Sequence, residues 1–166
     1  MTWINGLRRR LITLVAMTIV ALLTASLAAV PAQATYGPPF AVSLQLRSFT
    51  STGVEYQVGR LVGTVQFDDG NSAYYLSLIM CRQSSYTNPQ VRVYVNGVYT
   101  LFFSPSDNIR RPESCNGGHG LSGVIEGGFG YSGVIANLTI SISGIHFDGS
   151  TARDVSRSAF YDNPLT

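Results

Sequence analysis

One stretch decides the fold of this chain: Val91-Arg92-Val93-Tyr94-Val95-Asn96-Gly97-Val98-Tyr99-Thr100-Leu101-Phe102. An Asn-Gly pair between two runs rich in β-branched residues is the strongest short-range signal for a β-hairpin, because both turn positions need a positive φ. A two-residue turn also fixes the register of the two strands. The predicted cross-strand pairs are Val95–Val98, Tyr94–Tyr99 and Val93–Thr100.

The two faces of this hairpin differ in composition. The face that is predicted to enter the core carries Val91, Val93, Val95, Val98 and Phe102. The opposite face carries Arg92, Tyr94, Tyr99 and Leu101, so an aromatic cross-strand pair lies beside a guanidinium. We take Arg92, Tyr94 and Tyr99 as candidate partner-binding residues. The alternative is that the tyrosines only cover a sheet face, with their hydroxyl groups at the rim.

The same period of two extends from the hairpin toward the N terminus. The alternation that begins at Phe40 predicts a half-buried strand, and it returns over residues 54–67. Gly59 and Gly63 in the second segment indicate a bulge or a close approach of two backbones. Asp68-Asp69-Gly70-Asn71 then precedes another apolar run. Asp-Gly at this place predicts a hairpin in which the glycine takes the positive φ.

Beyond the Asn-Gly hairpin, two strands are predicted around a glycine-rich turn, Glu126-Gly127-Gly128-Phe129-Gly130. The second strand is predicted to point these residues inward: Val134, Ala136, Leu138, Ile140 and Ile142. His146 alternates with inward apolar residues, which favours an interior, hydrogen-bonded side chain over a catalytic base. The tail from Ser150 either adds an edge strand near residues 159–161 or frays.

No segment after residue 34 keeps a 3.6-residue apolar period long enough for a helix. Seven or eight short strands with turn signals between them predict an all-β fold. The predicted architecture is an antiparallel immunoglobulin-like β-sandwich with one disulfide. The alternative is a small β-barrel.

The first 34 residues are predicted to be a cleaved secretory signal peptide. Arginines at positions 8–10 precede an apolar run that starts at Leu11, and Ala32-Gln33-Ala34 fits cleavage after Ala34. The alternative is a retained transmembrane anchor, since about 20 apolar residues can span a bilayer. Cleavage would leave residues 35–166 as a single secreted domain of 166 − 34 = 132 residues.

The charge of this predicted domain argues against nucleic acid as a partner. Its cations are eight arginines without any lysine, and its acids are nine Asp and Glu, so its net charge is 8 − 9 = −1. A nucleic-acid binder is expected to carry a strong basic patch. The domain also has no second long apolar run, which argues against a membrane partner.

Two cysteines, Cys81 and Cys115, lie in the predicted domain. In an oxidising compartment an even pair is expected to form a disulfide. The alternative is that Cys115 and His119 form a nucleophile pair, which needs a reduced thiol and leaves Cys81 unexplained.

The sequence offers little catalytic chemistry, and we predict neither an enzyme nor a cofactor. The segment Gly120-Leu121-Ser122-Gly123 lacks the spacing of a nucleophile elbow. The two histidines, His119 and His146, are too few for a His-rich zinc site. The acidic cluster at Asp68 and Asp69 lacks the further oxygen ligands of an EF-hand.

Residues 104–120 have no period and are rich in breakers, so they are predicted to form a long loop that Cys115 tethers. Arg110, Arg111 and His119 in this loop are candidate partner-binding residues. Two alternative functions depend on them. A secreted protease inhibitor would present the loop with Arg110 or Arg111 as its anchor, and an unrecognised hydrolase would use His119.

An extended arm is predicted for Thr35-Tyr36-Gly37-Pro38-Pro39, because each proline restricts the residue before it. The arm leads directly into the Phe40 strand. It can be donated to a partner by strand addition, which makes Tyr36 a candidate partner contact. The alternative is a frayed terminus.

Taken together, the Arg-rich leader ending in Ala32-Gln33-Ala34, the single cysteine pair and the Lys-free, strand-rich domain with its arm resemble the small adaptor subunits of the secreted umbrella toxins of filamentous actinobacteria. The resemblance implies a non-enzymatic adaptor that joins a repeat-containing toxin chain to a lectin-like subunit. It implies no individual binding residue. We therefore expect a secreted, extracellular module that binds another secreted protein.

Overall fold

Eight strands carry the alternating pattern of the sequence, and a computed structural model gives their bounds. The structure describes residues 35–104, Cys115 and residues 122–166. The strands are β1 (Phe40–Phe49), β2 (Glu55–Phe67), β3 (Ala73–Arg82), β4 (Gln90–Val95), β5 (Val98–Phe103), β6 (Ser122–Gly130), β7 (Asn137–Asp148) and β8 (Thr151–Asp162). The predictions for residues 1–34, Arg110, Arg111 and His119 lie outside the described residues. In the part of the chain that the structure describes, no helix is both long and apolar enough to cross a membrane.

The strands form two antiparallel four-stranded sheets. One sheet has the order β1-β2-β3-β6 and the other has the order β5-β4-β7-β8. The sheets pack as a sandwich and do not close into a barrel, so the predicted antiparallel β-sandwich is confirmed and the barrel alternative is wrong. The predicted Cys81–Cys115 disulfide is also present, and it ties Cys115 to the end of β3.

The core lies between the sheets and follows the period of two. The largest fully buried side chains are Tyr74, Phe67, Leu46, Leu61, Leu76, Leu78, Met80, Ile135, Leu138, Ile140, Ile142 and Val58. Full burial of one aliphatic or aromatic side chain contributes roughly 1.5–3 kcal/mol relative to its exposure. Alternation along each strand therefore determines which of its faces enters the core.

The Asn96-Gly97 hairpin forms as predicted, but its register changes after two pairs. Asn96 and Gly97 have φ values of 51° and 79°, and the pairs Val95–Val98 and Tyr94–Tyr99 are confirmed. Val93 then pairs with Leu101 instead of Thr100, because the Thr100 hydroxyl donates to the Val93 carbonyl oxygen at 3.0 Å and marks a bulge.

This bulge moves the residues of β5 that follow it to the face opposite the predicted one. Leu101 and Phe103 pack against the core. Val98 and Phe102 were predicted to be buried, and both are exposed. The assignment of both to the core is therefore wrong. Phe102 follows the bulge, where one extra residue moves each side chain to the opposite face. Val98 precedes the bulge and is exposed at the end of the hairpin, directly after the turn.

The predicted glycine-rich turn is also wrong. Residues 126–130 belong to β6 and pair with β3, from Ser77–Glu126 to Ala73–Gly130. The chain leaves the sheet only after Gly130 and crosses to the other sheet before β7. Within this crossing, the Ile135 amide donates to the Asn71 carbonyl oxygen at 2.7 Å and Ile135 is buried. Val134 and Ala136 are therefore exposed rather than inward.

Two glycine predictions in β2 are confirmed. The register between β1 and β2 shifts next to Gly59, so a bulge lies there. Gly63 approaches the backbone of Ser77 so closely that a Cβ atom would overlap it. The hairpin between β2 and β3 is present too, but Asn71 takes the positive φ of 53° in place of Gly70.

Both chain ends of the described domain are ordered by pairing. The Gly37 amide donates to the Phe67 carbonyl oxygen at 2.8 Å, and Tyr36 forms a bridge with Asp68. The arm is thus held against the end of β2 rather than frayed. The tail forms β8, which pairs with β7 from Asp148–Thr151 to Asn137–Asp162. The predicted edge strand is confirmed and is longer than expected.

Candidate binding face

Three of the predicted partner-binding residues lie together on the outer face of the β5-β4-β7-β8 sheet. Tyr94 of β4 pairs with Tyr99 of β5, and their rings make an edge-to-face contact at 5.8 Å between centroids. Arg92 lies two residues before Tyr94, so it points to the same face. The two-residue turn creates this arrangement because it sets Tyr94 directly opposite Tyr99.

The sheet register adds aromatic residues from the neighbouring strands. One row across the outer face is Tyr99, Tyr94, Thr139 and Phe160, and the next row is Phe102, Arg92, Ser141 and Ser158. Adjacent strands lie about 4.8 Å apart, so each row spans roughly 14 Å. We call Tyr94, Tyr99, Phe102 and Phe160, with Arg92 among them, the aromatic patch.

The aromatic patch is open to solvent. Tyr99, Phe102 and Phe160 are 52%, 45% and 58% exposed, and Tyr94 is half-buried between them. Exposed apolar side chains grouped on one face of a domain mark interaction surfaces more often than scattered ones do. The patch therefore offers exposed apolar surface, and strand pairing holds the residues that form it in place.

Phe102 and Phe160 are the two patch residues that the sequence reasoning missed. Phe102 was assigned to the core, because the bulge at Thr100 cannot be seen in the alternation. Phe160 lies in β8, where most side chains on both faces are polar or small. The sequence of β8 therefore shows no clear alternation from which the face of Phe160 could be predicted. Its pairing with Thr139 of β7 is the observation that places it in the same row as Tyr94, two strands away.

The charge of the patch comes from Arg92. Its Nη2 atom donates to the Gln90 side-chain oxygen at 3.3 Å, and its cross-strand neighbours Phe102 and Ser141 carry no charge. The described residues form two ion pairs, Arg47–Glu55 and Arg153–Asp148, and neither involves Arg92. Arg92 can therefore offer its guanidinium to a carboxylate of a partner.

A polar depression borders the patch beyond Arg92. Its volume is about 330 Å³, and its lining includes Gln90, Ser143, Asp154 and Ser156. These side chains offer both hydrogen-bond donors and acceptors. A polar border beside an apolar centre is the usual arrangement of a protein interface.

Tyr36 lies apart from the patch, on the outer face of the other sheet. Its ring contacts that of Tyr75 at 5.5 Å between centroids. The Tyr75 hydroxyl donates to Glu126 at 3.2 Å. Burial, followed by the negative charge of Glu126, raises the pKa of Tyr75. Tyr36 is thus engaged within its own chain, and it does not share a surface with Arg92.

His146 is buried as predicted, at 6% exposure, but its environment differs from the expectation. Its ring contacts the tilted ring of Tyr56 at 4.4 Å between centroids, and its Nδ1 atom has no hydrogen-bond partner. No group of three or more His, Cys, Asp or Glu residues within the described ranges is arranged to hold a metal ion. The inhibitor and hydrolase hypotheses depend on residues 104–120 and stay predictions.

The chain matches no protein-family model, no curated protein and no solved structure.

Proposed function

We propose that this chain is a secreted, non-enzymatic protein-binding module that acts as an adaptor or subunit of an extracellular complex. The observation that carries the proposal is the aromatic patch, in which exposed side chains of β5, β4 and β8 share one sheet face. The sequence resemblance suggests an antibacterial toxin assembly as the complex. The partner is another secreted protein.

The composition of the patch supports a protein as the ligand. Tyrosine, phenylalanine and arginine are enriched in the centres of protein interfaces, and truncation of the few hot-spot residues of an interface costs about 2 kcal/mol or more of binding energy each. Tyr94 and Tyr99 already contact each other in the free chain. Part of the side-chain ordering cost of binding is therefore met before the partner arrives.

The disulfide is compatible with a secreted protein. Cys81 and Cys115 are bonded and buried. Disulfides persist in oxidising compartments such as the extracellular space. Together with the predicted leader, this supports an extracellular site of action.

The test is capture of partners from the native culture medium by the immobilised domain. We expect the wild-type domain to retain a defined partner and the double variant Tyr99→Ser/Phe160→Ser to bind that purified partner at least 100-fold more weakly, which corresponds to about 2.7 kcal/mol. The matched control is Val124→Ser, because Val124 is similarly exposed at 50% and lies in β6 of the other sheet.

Two results would overturn the proposal. One is a wild-type domain that retains no protein at any salt concentration or pH. The other is a partner that binds the Tyr99→Ser/Phe160→Ser variant as tightly as the wild type, since binding would then not use the aromatic patch.

A further inference from the structure

The four edge strands of the sandwich differ in how well they are protected against pairing with another chain. β5 has six residues and a bulge, β1 has a register shift after Leu46, and β6 contains four glycines in nine residues. β8 has twelve residues and pairs with β7 throughout without a shift. It contains no proline, and its protection is the inward-pointing charge of Arg157, which opposes any added strand that lacks an opposite charge. Its outer edge therefore offers a long row of main-chain groups for strand addition.

A groove runs beside this edge, between β8 and β1. Its volume is about 580 Å³, and both strands line it over residues 43–47 and 156–158. Ser43, Ser156 and Ser158 occupy outward-facing positions of their strands, so no bulky side chain from these positions enters the opening between the two sheets. The space beside β8 is therefore bounded on its inner side by Arg157.

The groove carries uncompensated positive charge. Its lining contains Arg47 and Arg157 and neither Asp nor Glu. Arg47 is paired with Glu55 at 2.9 Å. Arg157 is exposed, and it has neither an ion pair nor a hydrogen bond of its side chain among the described residues. Because it pairs with the buried Ile142, its side chain lies on the groove side of β8.

We propose that the β8 edge accepts an extended acidic segment of a partner protein, which adds a fifth strand to the β5-β4-β7-β8 sheet and sets a carboxylate against Arg157. This inference rests on the proposed protein-binding function. It adds the β8 edge to the aromatic patch as a second surface that contacts the partner. Phe160 belongs to β8 and to the aromatic patch. The added strand therefore continues the patch across the sheet edge.

The test uses a tethered strand, since a short linker raises the effective concentration of a weak ligand to the millimolar range. Two forms of the full domain carry a Gly-Ser linker after Thr166, followed by either Thr-Val-Glu-Val-Glu-Val-Thr or Thr-Val-Lys-Val-Lys-Val-Thr. The measurement is hydrogen exchange of the β8 amides. We expect the Glu form to slow this exchange by about tenfold relative to the untethered domain, and the Lys form to slow it less.

Charge reversal at Arg157 gives the decisive comparison. Arg157→Glu is expected to invert the preference, so that the Lys form protects β8 better than the Glu form. The matched control is Arg60→Glu, because Arg60 is exposed on β2 of the other sheet and its change leaves the Glu preference intact.

The inference is overturned if neither tether slows exchange in β8, or if both slow it equally. These outcomes are independent of the Tyr99→Ser/Phe160→Ser capture experiment. Loss of the tether effect with intact patch-dependent capture would reject the β8 edge alone. Intact tether protection without capture would reject the proposed function of the patch.

Discussion

Gly63 shows how a single backbone position constrains the β1-β2-β3-β6 sheet. Its φ is +143°, and an added Cβ would overlap the Ser77 carbonyl oxygen and come within 2.9 Å of the Leu78 Cα atom. We expect Gly63→Ala to lower the free energy of unfolding by about 3 kcal/mol, because the strained backbone and the overlap act together. Urea unfolding measures this change.

The matched control for this change is Gly130→Ala in β6. Gly130 lacks a positive φ, and no atom lies within 4 Å of its added Cβ. Its substitution is expected to change the free energy of unfolding by no more than about 0.5 kcal/mol. Equal losses at Gly63 and Gly130 would contradict the close approach of β2 to β3.

Asp148, the last residue of β7, links acid stability to one hydrogen bond with the turn between β1 and β2. The Ser51 amide donates to its Oδ2 atom at 2.7 Å, and Arg153 is paired with the same oxygen at 2.8 Å. The Ser51 hydrogen bond, with the charge of Arg153, lowers the pKa of Asp148 below its usual 3.8. The ionised form is thus favoured in the folded state, so its contribution is complete above the unfolded pKa and is lost as the pH falls through the lowered pKa.

We expect the wild-type domain to lose more stability between about pH 5 and pH 2.5 than Asp148→Asn does. The asparagine can still accept the Ser51 hydrogen bond, but it does not titrate. The measurement is the urea midpoint of both proteins at each pH. Identical acid losses would show that Asp148 does not contribute.

At the scale of elements, the Asn96 side chain attaches the β4–β5 hairpin to the segment before β7. Its Oδ1 atom accepts from the amides of Ala136 and Asn137 at 2.9 and 3.2 Å, and its Nδ2 donates to the Val134 carbonyl oxygen at 2.8 Å. Asn96 thus stabilises both the hairpin turn and the segment that crosses between the two sheets.

Asn96→Gly keeps the turn conformation but loses these three hydrogen bonds, so we expect it to lower the free energy of unfolding by about 1–3 kcal/mol. Asn96→Asp keeps the acceptor oxygen and loses only the donor to Val134. We therefore expect a smaller loss for the aspartate variant in urea unfolding. An aspartate variant as unstable as the glycine variant would contradict the role of Oδ1.

The same hairpin shows which features of an element can be predicted from neighbouring residues and which cannot. Its turn and first two pairs depend on residues 94–99 alone, and both were predicted correctly. The bulge at Thr100 depends on a hydrogen bond to Val93 across the strands, and the alternation carries no signal of it. Likewise, the glycines of β6 favour a turn by composition, but β3 supplies a neighbouring strand with which they pair.

At the scale of the whole molecule, the disulfide connects parts of the chain that are 34 residues apart. We expect the double variant Cys81→Ala/Cys115→Ala to lose roughly 3–4 kcal/mol of unfolding free energy, because the unfolded chain regains the entropy of that loop. Urea unfolding with and without a reducing agent checks this. The reductant should destabilise the wild type and leave the double variant unchanged, and equal stability of both oxidised proteins would contradict the expectation.

Some residues of the candidate site can be predicted from their sequence neighbours, and others are placed there only by contacts between distant parts of the chain. Arg92, Tyr94 and Tyr99 share a face because of one turn, and the sequence predicted that they do. Phe102 joins them through a bulge, and Phe160 joins them through the pairing of β8 with β7. Tyr36 was predicted as a candidate contact and lies on the other sheet, because its bridge to Asp68 holds it there.

By itself, the sequence determined most of the strands, the buried face of most of them and the Asn96-Gly97 turn. These properties depend on alternation and on the φ preferences of neighbouring residues, which act over a few positions. Only the tertiary structure decided that β3 lies beside β6 and β4 beside β7, and that the edge of β8 is left open. Such pairings join distant parts of the chain, and they are selected by how well whole faces pack after the loops between them have closed.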